Sequence, residues 1–177
     1  MWLLVDCSPL SAGGGVQVAI ALIDGLSRRS DIDWLAVLPE SMQSLGLPHR
    51  VWQKVSRLIF LPKNGLTDLV QARFKLMAIE RMFTPDVVFS VFGPAYFRAR
   101  APHLVGFALP NLIYKRTRAL AESNYVLTSV ADWLRCRLCR QADVLVVETQ
   151  TVANRLTSRI GCDPGLIPSL VTVSTRC

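Results

Sequence analysis

The chain has 177 residues, of which 51% are hydrophobic and 19% charged, and its formal net charge is +7. This composition excludes a disordered chain, and the length allows one well-buried domain. No stretch approaches the roughly 20 consecutive apolar residues that span a bilayer, and the N-terminus MWLLVDC lacks the basic start of a secretory signal. We therefore expect a cytoplasmic protein. The positive charge indicates acidic partners, such as phospholipid head groups, phosphorylated acceptors or nucleic acid.

The first half of the chain alternates short apolar runs with helical patterns, which is typical of a parallel sheet with helices on both faces. Strands are predicted at Trp2–Val5, at Asp33–Leu38, within Val51–Leu61 and at Asp86–Phe92. The first helix follows the loop Asp6–Gly15. Its predicted apolar stripe consists of Val16, Ala19, Ile20, Ile23 and Leu26.

A second helix is predicted to begin after Asn64, which can cap it, and to end at Thr84-Pro85. The residue before a proline is pushed away from the helical region, so the pair stops the helix. The predicted apolar face consists of Leu66, Leu69 or Val70, Phe74 and Met77.

The second half continues the alternation. Strands are predicted at His103–Leu109, at Ala142–Val147 and, as one more strand, at Leu166–Val173. Ser129 and Asp132 resemble a capping box that opens a helix. The predicted apolar side of that helix consists of Val130, Trp133, Leu134 and Leu138. Thr149 or Thr151 can cap a last helix that ends at Gly161.

The five cysteines are scattered and odd in number, which suits a reducing compartment. Cys136 and Cys139 have the CxxC spacing, but a zinc site needs a second pair of ligands, and the sequence has none. A thioredoxin-like site would lie at a strand-to-helix turn, whereas this pair falls inside a predicted helix. We expect structural thiols and no metal.

The most informative motif is the glycine run Gly13, Gly14 and Gly15 between a strand and a helix. Glycines let the backbone turn sharply and approach a ligand, and the helix start behind them suits phosphate or a sugar oxygen. An ordinary flexible turn is the alternative. The run is a poor dinucleotide fingerprint, because Val18 stands where a third glycine is needed. Glu40, after the second strand, can still imitate a ribose-binding acid.

Three ordered pieces of the sequence resemble retaining family-four glycosyltransferases. The first piece, Gly13–Leu22, is similar to the family's glycine loop and first helix. The second, Pro85–Ser90 with Ala101–Val105, is similar to its paired central strands. The third, Ala142–Thr149 with Val152 and Leu156, is similar to the last strand and helix of its acceptor domain. The resemblance covers nearly the whole chain in the family's order.

The resemblance implies an α/β fold, a Rossmann-like parallel sheet with helices on both faces that forms half of a GT-B fold. Residues 1–177 would be a single N-terminal acceptor domain, with the C-terminal donor domain absent. The implied activity is hexosyl transfer from a nucleotide-sugar to a glycan or lipid-linked acceptor, without a cofactor. The fragment is expected to be inactive alone and to need the missing domain or a partner subunit.

Two features depart from the family. Many relatives place a histidine near the carboxyl end of the strand predicted at His103–Leu109, and Ala108 occupies that place here. We therefore assign His103 no catalytic role and expect a core or strand-edge histidine. The segment Val171–Cys177 also lacks the asparagine of the family's linker. No catalytic residue is assigned.

Further candidate ligand-binding residues follow the carboxyl ends of the predicted parallel strands, because open α/β sheets bind their ligands at those ends. The predicted substrate-binding residues are Gly13, Gly14, Gly15, Gly93 and Thr149. Phe92-Gly-Pro94 and Ala108-Leu-Pro110 follow two strand ends and would line the acceptor cleft, ordinary turns being the alternative. Glu148 lies at a third end.

A basic, Trp- and Tyr-containing region lies in the second half. It consists of Lys115, Arg116, Arg118, Arg135, Arg137 and Arg140. One interpretation is peripheral contact with an anionic membrane at its inner face, or with a phosphorylated acceptor. The other is a solvated helix face. No nucleic-acid partner is expected, because no binding signature accompanies the charge.

Two alternatives to the transferase stay open. One is a nicotinamide-dependent oxidoreductase or sugar-nucleotide epimerase that uses the same strand, loop and helix. The other is a non-catalytic domain that binds a partner chain through the exposed cleft face.

Overall fold

A computed structural model describes residues 1–10, 13–45, 47–54, 57–62, 66–108, 125–160, 166–167 and 170–174. The chain divides into two compact units. The first comprises Met1–Phe92 with Tyr96–His103, and the second comprises Gly93–Ala95 with Leu104–Cys177. Among the described helices, none combines the length and apolarity needed to cross a bilayer.

The first unit is built on four parallel strands in the order β3-β2-β1-β4. The strands are β1 (Trp2–Asp6), β2 (Asp33–Pro39), β3 (Leu58–Leu61) and β4 (Val87–Ser90). The connecting helices are α1 (Gly14–Ser27), a 3₁₀ helix (Glu40–Leu45), α2 (His49–Trp52) and α3 (Leu66–Phe83). The strands lie where they were predicted. The segment predicted to contain β3 also contains the end of α2.

Alternation along the strands sends side chains to two faces, and a helix covers each face. Val5 and Ala36 belong to the same hydrophobic cluster as Ile23 of α1. Leu4 and its neighbours on the opposite face cluster with Leu76 of α3. These strands are therefore buried on both sides, as the apolar runs indicated.

The apolar stripe predicted for α1 is confirmed. The apolar face predicted for α3 is confirmed at Met77, which packs against the core, and is wrong at Val70 and Phe74. Val16, Ala19, Ile23 and Leu26 of α1 are buried. In α3, Leu76 and Ile79 are buried, but Val70 and Phe74 are exposed. Two apolar stripes share this helix, and periodicity alone does not choose between them. Asn64 and the side chains of residues 66–69 lie outside the described part of the chain.

The stripe that packs is the one next to Glu80. This buried carboxylate accepts the backbone N–H groups of Arg100 (2.5 Å) and Ala101 (3.0 Å) through Oε1. The helix ends at Phe83, before Thr84-Pro85 as predicted, and Thr84 has a φ of 42°. Glu80 thus ties the end of α3 to the loop that leads into β5.

The second unit contains two parallel strands, β5 (His103–Gly106) and β6 (Val144–Val147), and two antiparallel ones, β7 (Leu166–Ile167) and β8 (Leu170–Ser174), in the order β5-β6-β8-β7. His103, the first residue of β5, groups with the first unit. The helices are α4 (Tyr125–Cys139) and α5 (Gln150–Ile160). The single strand predicted for the tail is two short strands, and β8 runs antiparallel to β6.

Two predictions for α4 are wrong. The helix is already formed at Tyr125, so Ser129 is an internal residue and no capping box opens the helix there. On the predicted apolar side, Val130, Trp133 and Leu134 are exposed, and only Leu138 is half-buried. Cys139 is buried instead, and Cys136 packs against the same cluster. The helix turns its small thiol-bearing side inward, because the cluster around Leu145 and Leu156 already supplies bulky side chains.

The architecture is an α/β, Rossmann-like fold, in which parallel strands alternate with helices. The prediction of fold class from the alternating pattern is confirmed. The prediction that residues 1–177 form a single acceptor domain stays a prediction.

Candidate functional site

The glycine run predicted as a ligand-binding bend follows the loop that leaves the carboxyl end of β1, and it opens α1. Gly13 occupies the position before the first turn of α1, with φ 79° and ψ −156°, a conformation that side-chain-bearing residues rarely adopt. Gly14 is the first residue of the helix. Ser11 and Ala12, on the other side of the bend, lie outside the described residues.

Space over the bend is open at Gly13 and Gly14 and filled at Gly15. A Cβ at either of the first two residues would meet no atom within 4 Å, and both residues are exposed. A Cβ at Gly15 would lie 3.1 Å from Phe92 Cδ2 and 3.2 Å from Leu10 Cδ2. Gly15 thus serves packing beneath the bend, while Gly13 and Gly14 leave the main chain accessible from outside.

The electrostatics of the bend favour an electron-rich ligand. No acidic residue lies in the first turn of α1, and no side chain caps the helix start. The N–H of Val16 donates to the Gly13 carbonyl (3.1 Å). The first backbone N–H groups of a helix point outward at the positive end of its dipole, and they suit phosphate or a sugar oxygen.

Beneath the loop lies a buried chain of polar side chains that no sequence motif predicted. Ser90 Oγ is 3.2 Å from Asp6 Oδ2 and 2.9 Å from His103 Nε2. All three residues are only 1% exposed. Asp6 and Ser90 are paired residues at the carboxyl ends of β1 and β4.

Asp6 also holds the start of the glycine loop. Its Oδ1 accepts the backbone N–H of Ser8 (2.9 Å) and the Ser8 hydroxyl (2.7 Å). Burial raises the pKa of Asp6, and the hydrogen bonds from Ser8 and Ser90 partly oppose that rise. The pKa of the Cys7 thiol lies well above its usual value, first because of burial and then because of the Asp6 charge.

This chain of polar groups is a support and lacks the order of a nucleophilic triad. In a serine triad the histidine lies between the serine and the carboxylate, whereas here Ser90 lies between Asp6 and His103. With Ser90 donating to Asp6, His103 Nε2–H donates to Ser90. His103 is buried against Phe97, at 5.2 Å between ring centroids, as expected of a core histidine. The signal in the sequence was a polar residue at or within an apolar run: Asp6 ends the first run, Ser90 lies inside Asp86–Phe92, and His103 begins its own run.

The other two candidate residues, Gly93 and Thr149, both belong to the second unit. The Gly93 N–H donates to the carbonyl of Gly106, the last residue of β5 (2.8 Å). Thr149 follows the carboxyl end of β6 and is exposed. Since β5 and β6 are parallel, both candidates lie at the same edge of their unit.

Each of these two residues has a clear structural role. A Cβ at Gly93 would lie 2.3 Å from Val105 Cγ1, so packing requires a glycine there. Thr149 caps α5, its Oγ1 accepting the N–H of Val152 (3.3 Å), as predicted for this helix. Ligand contact by Gly13, Gly14, Gly15, Gly93 or Thr149 stays a prediction. Leu109 and Pro110, from the predicted second turn, lie outside the described residues.

Within the described part of the chain, no cluster of three or more metal-ligating side chains occurs. Cys136 and Cys139 lie inside α4, as predicted, and burial raises the pKa of Cys139 to about 12. A buried thiol with such a pKa is almost fully protonated at neutral pH and is a poor nucleophile. Glu40, the candidate ribose-binding acid, is exposed at the start of the 3₁₀ helix.

No protein-family model matches the chain, and no curated protein is similar to it in sequence. A solved structure that is similar is UDP-GlcNAc 2-epimerase from Methanocaldococcus jannaschii, with a TM-score of 0.56 and 11% identity. The similarity covers 89% of this chain and 42% of that protein, so this chain spans less than half of its length. At this identity the similarity shows the fold alone, the Rossmann-like α/β architecture described above.

Proposed function

We propose that this chain is the acceptor-side half of a GT-B glycosyltransferase of the family-four type. The enzyme would transfer a hexosyl group from a nucleotide-sugar to a glycan or lipid-linked acceptor. The chain would provide the glycine bend that approaches the donor phosphate, together with one wall of the acceptor cleft. The donor site itself would come from a second Rossmann-like domain or a partner subunit.

The observation that carries the proposal is the open bend at Gly13 and Gly14. Unobstructed main chain lies there at the head of α1, after the loop that leaves the carboxyl end of the parallel strand β1. Asp6 and Ser8 hold the loop from below. Such a bend gives backbone N–H groups to a phosphate or sugar oxygen without a side chain in the way. The similarity to an enzyme named for a UDP-sugar supports a nucleotide-sugar as the ligand.

The chemistry of this half is placement and electrostatic support. Hexosyl transfer builds negative charge on the departing diphosphate, and fixed N–H dipoles stabilise that charge without reorganising. Holding donor and acceptor together further lowers the entropic part of the barrier. None of the described residues is assigned as acid or base.

The proposal is tested in a calorimeter by titrating the chain, together with its complementing domain, with UDP-sugars, with other nucleotide-sugars and with NAD(H). Gly14→Val is the informative variant, because its side chain fills the open space without meeting protein atoms. We expect at least tenfold weaker nucleotide-sugar binding and an unchanged melting temperature, since lost hydrogen bonds to a charged ligand are each worth roughly 1.5–3 kcal/mol.

Gly25→Ala is the matched control. Gly25 lies on the same helix, and a Cβ there also meets nothing within 4 Å. It is expected to leave binding unchanged. Equal binding by the wild type and Gly14→Val would contradict the proposed role of the bend. Tight NAD(H) binding without nucleotide-sugar binding would contradict the transferase itself.

Sugar-nucleotide epimerisation is the second candidate, favoured by the similarity to UDP-GlcNAc 2-epimerase. Both candidates need the nucleotide-sugar, and their products separate them. The assay supplies the chain with its complementing domain, a UDP-sugar and an acceptor. Release of UDP with a glycosylated acceptor supports the transferase, whereas an isomerised sugar supports the epimerase. The remaining possibility, a non-catalytic partner-binding domain, predicts neither product.

A further inference from the structure

An apolar patch lies on the outside of α4. Val130, Trp133 and Leu134 are 58%, 62% and 48% exposed, although each is a large hydrophobic residue. Their spacing of three and four residues places them on one side of the helix. The opposite side is the one that packs inward, through Cys139. We call the exposed set Val130, Trp133, Leu134 and Arg137 the α4 outer face.

Arginines border this patch. The Arg137 guanidinium lies over the Trp133 ring, at 5.7 Å from its centroid. A cleft of about 280 Å³ lies beside the patch and is lined by Trp133, Cys136, Arg137 and Arg140. Arg135 is paired with Asp132 (2.8 Å). Between residues 125 and 143 the sequence has three arginines and two acidic residues, Asp132 and Asp143, so the segment is net positive, in keeping with the net charge of +7.

We propose that the α4 outer face is a docking surface for an anionic lipid membrane. Val130, Trp133 and Leu134 would enter the boundary between head groups and acyl chains, and Arg137 would contact lipid phosphates. Helices that lie in a membrane interface combine these elements: Trp and aliphatic residues on one side with basic residues beside them. The proposal does not depend on the proposed function, because it is argued from the surface of α4 and not from the glycine bend.

Size and charge favour a membrane over a protein partner. A stable protein interface buries about 800 Å² on each side, and the patch consists of three apolar side chains on about one turn of helix. Membrane contact needs less apolar area, because each basic residue near an anionic surface adds its own attraction. Because Arg137 stacks on Trp133, the indole ring lies beside a positive charge. An anionic membrane surface attracts that charge while the ring enters the interface.

Co-sedimentation with lipid vesicles tests the proposal. We expect the chain to bind vesicles of phosphatidylglycerol mixed with phosphatidylcholine, to bind phosphatidylcholine alone poorly, and to lose affinity as salt increases. Trp133→Ser should weaken binding on the order of tenfold, and Arg137→Gln about fivefold. Trp133→Phe should keep binding but abolish the lipid-induced blue shift of the tryptophan fluorescence.

Phe74→Ser is the matched control, because Phe74 is an exposed aromatic residue on a different helix. It should bind vesicles like the wild type, and circular dichroism should show that every variant is folded. Equal binding to both vesicle types, or an equal loss in Phe74→Ser and Trp133→Ser, would overturn the proposal. A blue shift that survives in Trp133→Phe would also overturn it, since another tryptophan would then be entering the lipid.

Discussion

Among the glycines that the structure describes, Gly93 leaves the least room for a side chain. In Gly93→Ala the new methyl would lie 2.3 Å from Cγ1 of Val105, whereas carbon atoms in contact are normally about 3.5–4.0 Å apart. Val105 is completely buried. The Gly93 N–H is held by the Gly106 carbonyl at 2.8 Å. Neither side of the contact can move away without breaking other packing.

The expected cost follows from this geometry. Inserting a methylene into a packed core costs about 1–3 kcal/mol, and a contact more than 1 Å too short belongs at the upper end of that range. For a chain of this size each kcal/mol lowers the melting temperature by about 2–4 °C, so Gly93→Ala should melt roughly 6–12 °C below the wild type.

A double-mutant cycle with Val105→Ala isolates the clash. Val105→Ala alone should cost about 2 kcal/mol through lost burial and the cavity it leaves. In that background Cγ1 is gone, and Gly93→Ala should then cost less than about 1 kcal/mol. Urea unfolding of the four proteins measures the coupling. An additive cycle, or a Gly93→Ala variant as stable as the wild type, would refute the reasoning.

Three further predictions concern buried groups. The raised pKa of Asp6 means that the native state holds its proton to higher pH than the unfolded chain does. The unfolding free energy should therefore fall as pH rises from about 4 through the native pKa, and urea titrations of Asp6→Asn should lack this slope. Glu80→Ala leaves the N–H groups of Arg100 and Ala101 without their acceptor. We expect its free energy of unfolding in urea to be lower than that of the wild type by about 1–3 kcal/mol, and Glu80→Gln to lose less. Equal stability of all three proteins would contradict this prediction. Cys139, with its pKa raised to about 12, should resist iodoacetamide at pH 8 until urea is added. Mass spectrometry measures the alkylation, and rapid alkylation of Cys139 in the native protein would contradict the prediction.

The strands and the glycine bend were predictable because their signals are local. A run such as Leu3–Val5 is apolar at every position, and a buried parallel strand requires no more than that. Gly13 is similarly informative, because few other residues adopt its positive φ. The helix that follows has a single apolar stripe, and that stripe is the one that packs.

The helix faces were harder to predict, since α3 and α4 each carry apolar residues on two sides. In α4 the small Cys139 packs inward while Trp133 stays outside, the reverse of what side-chain size suggests. Which side of a helix packs inward depends on the space that the neighbouring strands leave. The periodicity of the helix alone carries no information about that space.

The buried polar chain could not be predicted for a different reason. Asp6 and Ser90 are 84 residues apart in sequence, and their contact arises only from the pairing of β1 with β4. Asp6 alone looks like the polar end of a strand, and Ser90 alone looks like a polar residue inside one. Their partnership depends on strand order, which the alternating pattern of elements leaves open.

The reversal of the last strand affects how the second unit can be anchored in an experiment. Because β8 is antiparallel to β6, the main chain at Ser174 lies level with Val144, at the amino end of β6, whereas Thr149 follows the carboxyl end. Four strand residues separate these two levels by about 10 Å. A biosensor tether attached behind Ser174 would therefore start from the rim of the unit opposite Thr149, leaving the predicted ligand edge facing the flowing solution.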